Sequence, residues 1–142
     1  MLEFIGFVVV AIFVFGIIRG VIRAVLRVKG QELNREIGRE VREISTAELR
    51  VPTSYHNHIV LHRMAAARNS AQYLQENDPD FETVPWPRLL ALIIYGEFRQ
   101  ECEQYYLGNP QSQQMLSRLS VSDHEISSEL DRDPQQVIYG AI

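Results

Sequence analysis

Between Phe4 and Ile18 the chain reads FIGFVVVAIFVFGII, without one charged side chain. A helix that is apolar on every side has to be buried in something, so this run limits the fold more than any other stretch. A cleaved signal peptide fits poorly. Glu3 stands where a basic n-region belongs, and Ile17, Ile18 and Arg19 offer no small-x-small cleavage site. A buried core helix fits poorly too, because the rest of the chain is too short to surround it. A membrane span needs about 20 apolar residues, range roughly 17–25. Leu2 to Ile18 reaches the lower end, and Gly20, Val21 and Ile22 extend it if Arg19 reaches the headgroups. The expectation is therefore one N-terminal transmembrane helix. A helix lying flat in the lipid interface is the alternative.

Charge sets the orientation. Arg19, Arg23, Arg27 and Lys29 follow the apolar run with no acid among them. Positive residues beside a span stay on the cytoplasmic side. The N-terminus should then lie outside and the C-terminal domain in the cytoplasm, at the cell inner (plasma) membrane. Arg19, Arg23 and Arg27 recur every fourth position, on one face of a continuing helix, which suits them to an anionic lipid surface. Gly16 and Gly20 form a small-xxx-small spacing, a candidate seam for a homo-oligomer. Lys29 is the single lysine among many arginines, a composition that points to a GC-rich bacterial genome.

Beyond Glu32 acids outnumber bases, so the formal net charge of −4 averages a basic collar and an acidic domain. The lack of a basic run in this domain argues against nucleic acid as a partner, since phosphate binding needs several Lys or Arg. One cysteine, Cys102, rules out an intrachain disulfide.

The remainder reads as all-α, a small helical bundle. Three parts are expected: the membrane helix with its basic extension over 1–29, a charged stalk or linker helix over 30–50, and the bundle over 51–142. In the linker, Leu33, Ile37, Val41 and Ile44 form a narrow apolar stripe on a charged helix with Glu-to-Arg pairs three apart. That stripe either docks the helix on the domain or binds a partner. Val51-Pro52-Thr53 breaks this helix. Residues 54–77 read as one helix whose core face runs through Val60, Met64, Ala67, Ala71 and Leu74. Pro85-Trp86-Pro87 opens the next, over 88–107, in which LLALIIY is apolar nearly all round; it is too short to span a bilayer and is expected to be the central helix. Gly108-Asn109-Pro110 ends it. Short helices are expected over 112–119, from the capping sequence Ser122-Asp123-His124-Glu125 to about residue 130, and after Asp133-Pro134.

Chemistry-bearing residues are few. His58 and His62, four apart, share a helical face and are the candidate metal ligands, with His56, His124, Glu97, Glu101 and Cys102 as possible additions. The HExxH pattern is absent because Ile59 follows His58, and the Glu-x-x-His motif of di-iron bundles is absent too. The letters HNH at 56–58 lack the strand–strand–helix setting and basic surface of a nuclease. Cys102 sits between Glu101 and Glu103, which blunts a thiolate. Serine-nucleophile motifs, phosphate-cradling loops and dinucleotide fingerprints are missing. No cofactor and no enzymatic activity are expected. The sequence points to a non-enzymatic accessory, assembly or scaffold subunit of a membrane protein complex. The alternative is a membrane-tethered metal-binding protein or metalloenzyme using His58 and His62.

Overall fold

The computed structural model describes residues 35–142, and the expectations for the apolar run and the collar fall outside them. The described residues form seven α-helices and no strand: α1 (Glu36–Glu43), α2 (Thr53–His62), α3 (Met64–Asn77), α4 (Trp86–Tyr106), α5 (Pro110–Arg118), α6 (Asp123–Leu130) and α7 (Pro134–Gly140). A π-helical turn, Ile44–Glu48, follows α1, and a 3-10 turn, Pro79–Phe81, follows α3. None of these helices is long and apolar enough to cross a membrane.

The bundle is organised by α4, which touches every other helix. Each residue from Leu89 to Arg99 is buried. This is the central helix that LLALIIY predicts: a helix apolar all round finds its burial only where neighbours close in on every side. One continuous core results. It takes Val41 from α1, Leu49 and Val51 from the connection after it, Tyr55 and Ile59 from α2, Ala67, Ala71 and Leu74 from α3, and Leu116 and Ile126 from α5 and α6. The alanines bring α3 close to α4.

Local chemistry fixes the ends. Asn109, Ser122 and Asp133 each accept a backbone N–H from the first turn of the following helix, at 2.9, 3.1 and 3.0 Å. Pro110 and Pro134 occupy early positions where a missing N–H costs nothing. At the end of α4, Gly108 adopts φ +88° and donates to the Tyr105 carbonyl, while Asn109 donates to the Gln104 carbonyl. That pair of bonds is a Schellman motif. The same motif closes α5 with Ser120 at φ 58°, where Val121 donates to the Leu116 carbonyl and both side chains are buried.

Two expectations change. Residues 54–77 are not one helix: Arg63, at φ −135° and ψ 14°, separates α2 from α3. At the bend, Arg63 Nη2 reaches Glu97 Oε1 at 3.1 Å on α4, a tertiary contact that local sequence does not encode. The bend swings α3 onto the core and leaves Val60 43% exposed instead of buried. The linker helix also differs. It loses its α geometry at Ile44, where the backbone widens into the π turn, and Glu36 and Arg39 form no ion pair with each other among the described residues.

A candidate binding groove

The bend at Arg63 and the docking of α1 on α4 leave a gap between them. It is a groove of about 630 Å3 bounded by α1, α2, the start of α3 and the start of α4. Its apolar lining comes from Ile37, Val41, Val60, Met64, Trp86 and Leu90. Val41 and Leu90 are fully buried at its base, and Met64 and Trp86 are half-buried. Arg35, Arg39 and Arg42 come from α1 and its first flanking residue, and Arg68 comes from α3. Positions 35, 39 and 42 are spaced four and three apart, so they share one helical face. Glu36, Glu40 and Glu43 lie on the adjoining face and do not line the groove. Among the described residues, none of the four arginines has an ion-pair partner.

His56 also lines the groove, but its chemistry is already committed. It is buried and shares a 2.8 Å hydrogen bond between its Nδ1 and Ser45 Oγ. Burial, and then the charge of Arg42, hold it below the usual imidazole value. The ring is thus neutral at the base of an arginine-lined groove and serves to lock the π turn to α2.

The apolar stripe of the linker divides accordingly. Val41 belongs to the core, Ile44 packs against it half-buried, and Ile37 lines the groove. Leu33 lies outside the described residues, as do Arg19, Arg23, Arg27 and Lys29, the expected lipid-facing residues. Sequence reasoning missed Arg68, Met64 and Trp86 as partners of α1. They are distant in the chain, and only the Arg35–Arg39–Arg42 spacing gave a local signal.

The histidine face is a separate region. The His58 and His62 rings lie 5.2 Å apart between centroids, on one side of α2 as their spacing requires. His58 is lowered by burial and then by His62. His56 points to Ser45 and does not join them. Structural zinc takes four ligands and catalytic zinc three, and among the described residues no group of three or more His, Cys, Asp or Glu is placed to hold a metal ion. Glu101 accepts the Ser112 hydroxyl. Cys102 is buried, and burial raises its thiol well above the usual range, so it is no nucleophile at neutral pH.

Behind that face sits a carboxyl under tension. Glu97 is paired to Arg63 through Oε1, while its buried Oε2 and the buried Tyr55 hydroxyl have no hydrogen-bond partner. Burial raises Glu97; Arg63 opposes that and Glu101 adds to it. A carboxyl raised in the folded state contributes stability that is full below its unfolded pKa of about 4.3 and is lost as the pH climbs through the folded value. Urea midpoints of the parent and of Glu97→Gln, followed from acid to neutral pH, should therefore diverge. The parent falls relative to the variant as the pH rises; parallel curves would show that Glu97 titrates normally.

Comparison with protein-family models, with curated proteins and with solved structures finds no match to this chain. The described residues define a small all-helical domain with an arginine-rimmed groove.

Proposed function

We propose that this chain is a single-pass protein of the inner (plasma) membrane whose cytoplasmic helical domain acts as a non-enzymatic accessory, assembly or scaffold subunit. One observation carries the reading. The groove between α1 and α3 combines an apolar base with a rim of four arginines, and the one other titratable side chain lining it, His56, is tied to Ser45. Arginine holds its charge and cannot act as a base at any physiological pH. Such a lining supports a binding role over a catalytic one. The membrane part is supported by the uncharged run Phe4–Ile18 and the basic collar ending at Lys29, a few residues before Arg35 enters the groove.

Two measurements test it. Alkaline carbonate extraction of membranes should leave the full chain in the pellet, and release into the supernatant would sink the span. Purification in mild detergent should bring down a partner protein in stoichiometric amount. A chain that purifies alone but carries a stoichiometric metal, lost on replacing His58 and His62 by alanine, would favour the metal-binding alternative instead.

A further inference from the structure

We infer that the groove between α1 and α3 receives an acidic, amphipathic segment of a separate protein. This rests on the reading of the chain as a binding subunit and adds the chemistry of what it binds. Four observations lead there.

The first is charge. The domain is acidic outside the groove, yet Arg35, Arg39, Arg42 and Arg68 converge on it without an ion-pair partner among the described residues. Clustered cations repel one another, and an anionic occupant relieves that. The second is side-chain type. Protein interfaces concentrate arginine, methionine and aromatic residues at their centres, and this groove holds four arginines, Met64 and Trp86. Met64 is an adaptable surface against which a foreign apolar side chain can settle.

The third observation separates a partner segment from a bilayer. Glu36, Glu40 and Glu43 are exposed on the same helix as the arginines. A flat anionic membrane meets both faces of α1 and is repelled by one of them. A narrow ligand lying in the groove meets the arginines alone. The fourth excludes the chain's own leading segment. Residues 1–34 carry Arg19, Arg23, Arg27 and Lys29 against Glu3 and Glu32, so their charge is of the same sign as the groove's. The geometry sets the register: about two helical turns separate Arg35 from Arg42, roughly 10 Å. An occupant with apolar residues facing Met64 and Trp86 and carboxylates along both edges matches that length.

The test uses the full chain in its native membrane. A photo-crosslinking amino acid is placed at Val60 or at the exposed Asn57, both lining the groove, and as a control at Leu107, 74% exposed at the far end of α4. The adduct is digested and the crosslinked peptide sequenced. The expected result is a peptide of a different protein, rich in Asp and Glu, joined at 57 or 60 and not at 107. Arg39→Glu with Arg68→Glu should lower its yield about tenfold or more, because like charges then oppose the occupant. Arg39→Lys with Arg68→Lys should retain most of it, and circular dichroism checks that both variants are folded. Adducts to lipid, to residues 1–34, or to a second copy of the chain would overturn the inference. So would adducts at 107 alone, although the partner-binding reading would then stand. The absence of any protein adduct at all three positions, with no co-purifying partner, overturns both.

Discussion

Replacing Arg99 by methionine should destabilise the domain by about 3–5 kcal/mol, the cost of breaking a buried charge network by removing one of its two guanidinium groups. The charge in question is Glu129, whose side chain is 2% exposed. Tyr95 donates its hydroxyl to Glu129 Oε2 at 2.6 Å, Arg132 Nη1 reaches Oε1 at 3.0 Å, and Arg99 Nη1 lies 3.4 Å from Oε2. Arg99 does more than neutralise. It donates to the Glu129 and Arg132 carbonyls, and its Nε pairs with Glu103 at 2.9 Å. Burial raises Glu129 despite these partners, so the carboxylate is held at a net cost even in the intact network. Removing Arg99 also takes a donor from the Arg132 carbonyl, while the Glu129 carbonyl keeps the Arg132 backbone N–H at 3.1 Å. Small domains hold only about 5–15 kcal/mol in total, so the variant should be largely unfolded at moderate urea. Equilibrium urea unfolding followed by circular dichroism measures it. A loss below about 1 kcal/mol would place this network among surface ion pairs, which contribute that little.

Phe98→Ala should cost a similar amount, about 3–5 kcal/mol, by a different route. Phe98 is 1% exposed and lies one residue before Arg99 on α4. Its ring centre sits 5.2 Å from that of Tyr55, tilted by 56°, an arrangement favoured by about 0.5–1.5 kcal/mol beyond area burial. Truncation opens a cavity between α2 and α4 beside a tyrosine hydroxyl that already has no partner. The helix loosened is α2, which carries His56, Asn57 and Val60 to the groove. The same unfolding experiment should show Phe98→Leu retaining most of the stability, within about 1.5 kcal/mol of the parent, because volume is largely kept. Equal losses in the two variants would mean the ring geometry, and not filled volume, sets the cost.

How far the sequence foretells this structure depends on the range of the interaction involved. Ser122, Asn109-Pro110 and Asp133-Pro134 announce helix starts because a cap is satisfied within three residues. LLALIIY announces the central helix because all-round apolarity has one solution in water. The bend at Arg63 is different. Nothing in the run LHRMAAA at 61–67 breaks a helix; the break coincides with an ion pair from Arg63 to Glu97 on another helix. His56 likewise looks like a third member of a histidine cluster until the fold places Ser45 beside its ring. The groove was not visible in the sequence. Arg35, Arg39 and Arg42 read as ordinary charges on a solvated helix, and their companion Arg68 enters through the packing of α3. Residues whose role depends on a distant chain segment carry no local mark of it.

The network around Arg99 has a consequence for how the polypeptide emerges from the ribosome. Arg99 is synthesised well before its acceptors: the Arg132 carbonyl follows 33 residues later. At roughly 5–20 residues per second that interval lasts about 2–7 s. Arg132 in turn closes on the Leu49 carbonyl, across 83 residues. During those seconds α4 has been made, but its guanidinium has no buried acceptor and its apolar faces lack α6. Closure of the domain therefore waits on the segment around Arg132, which reaches back to both Arg99 and Leu49.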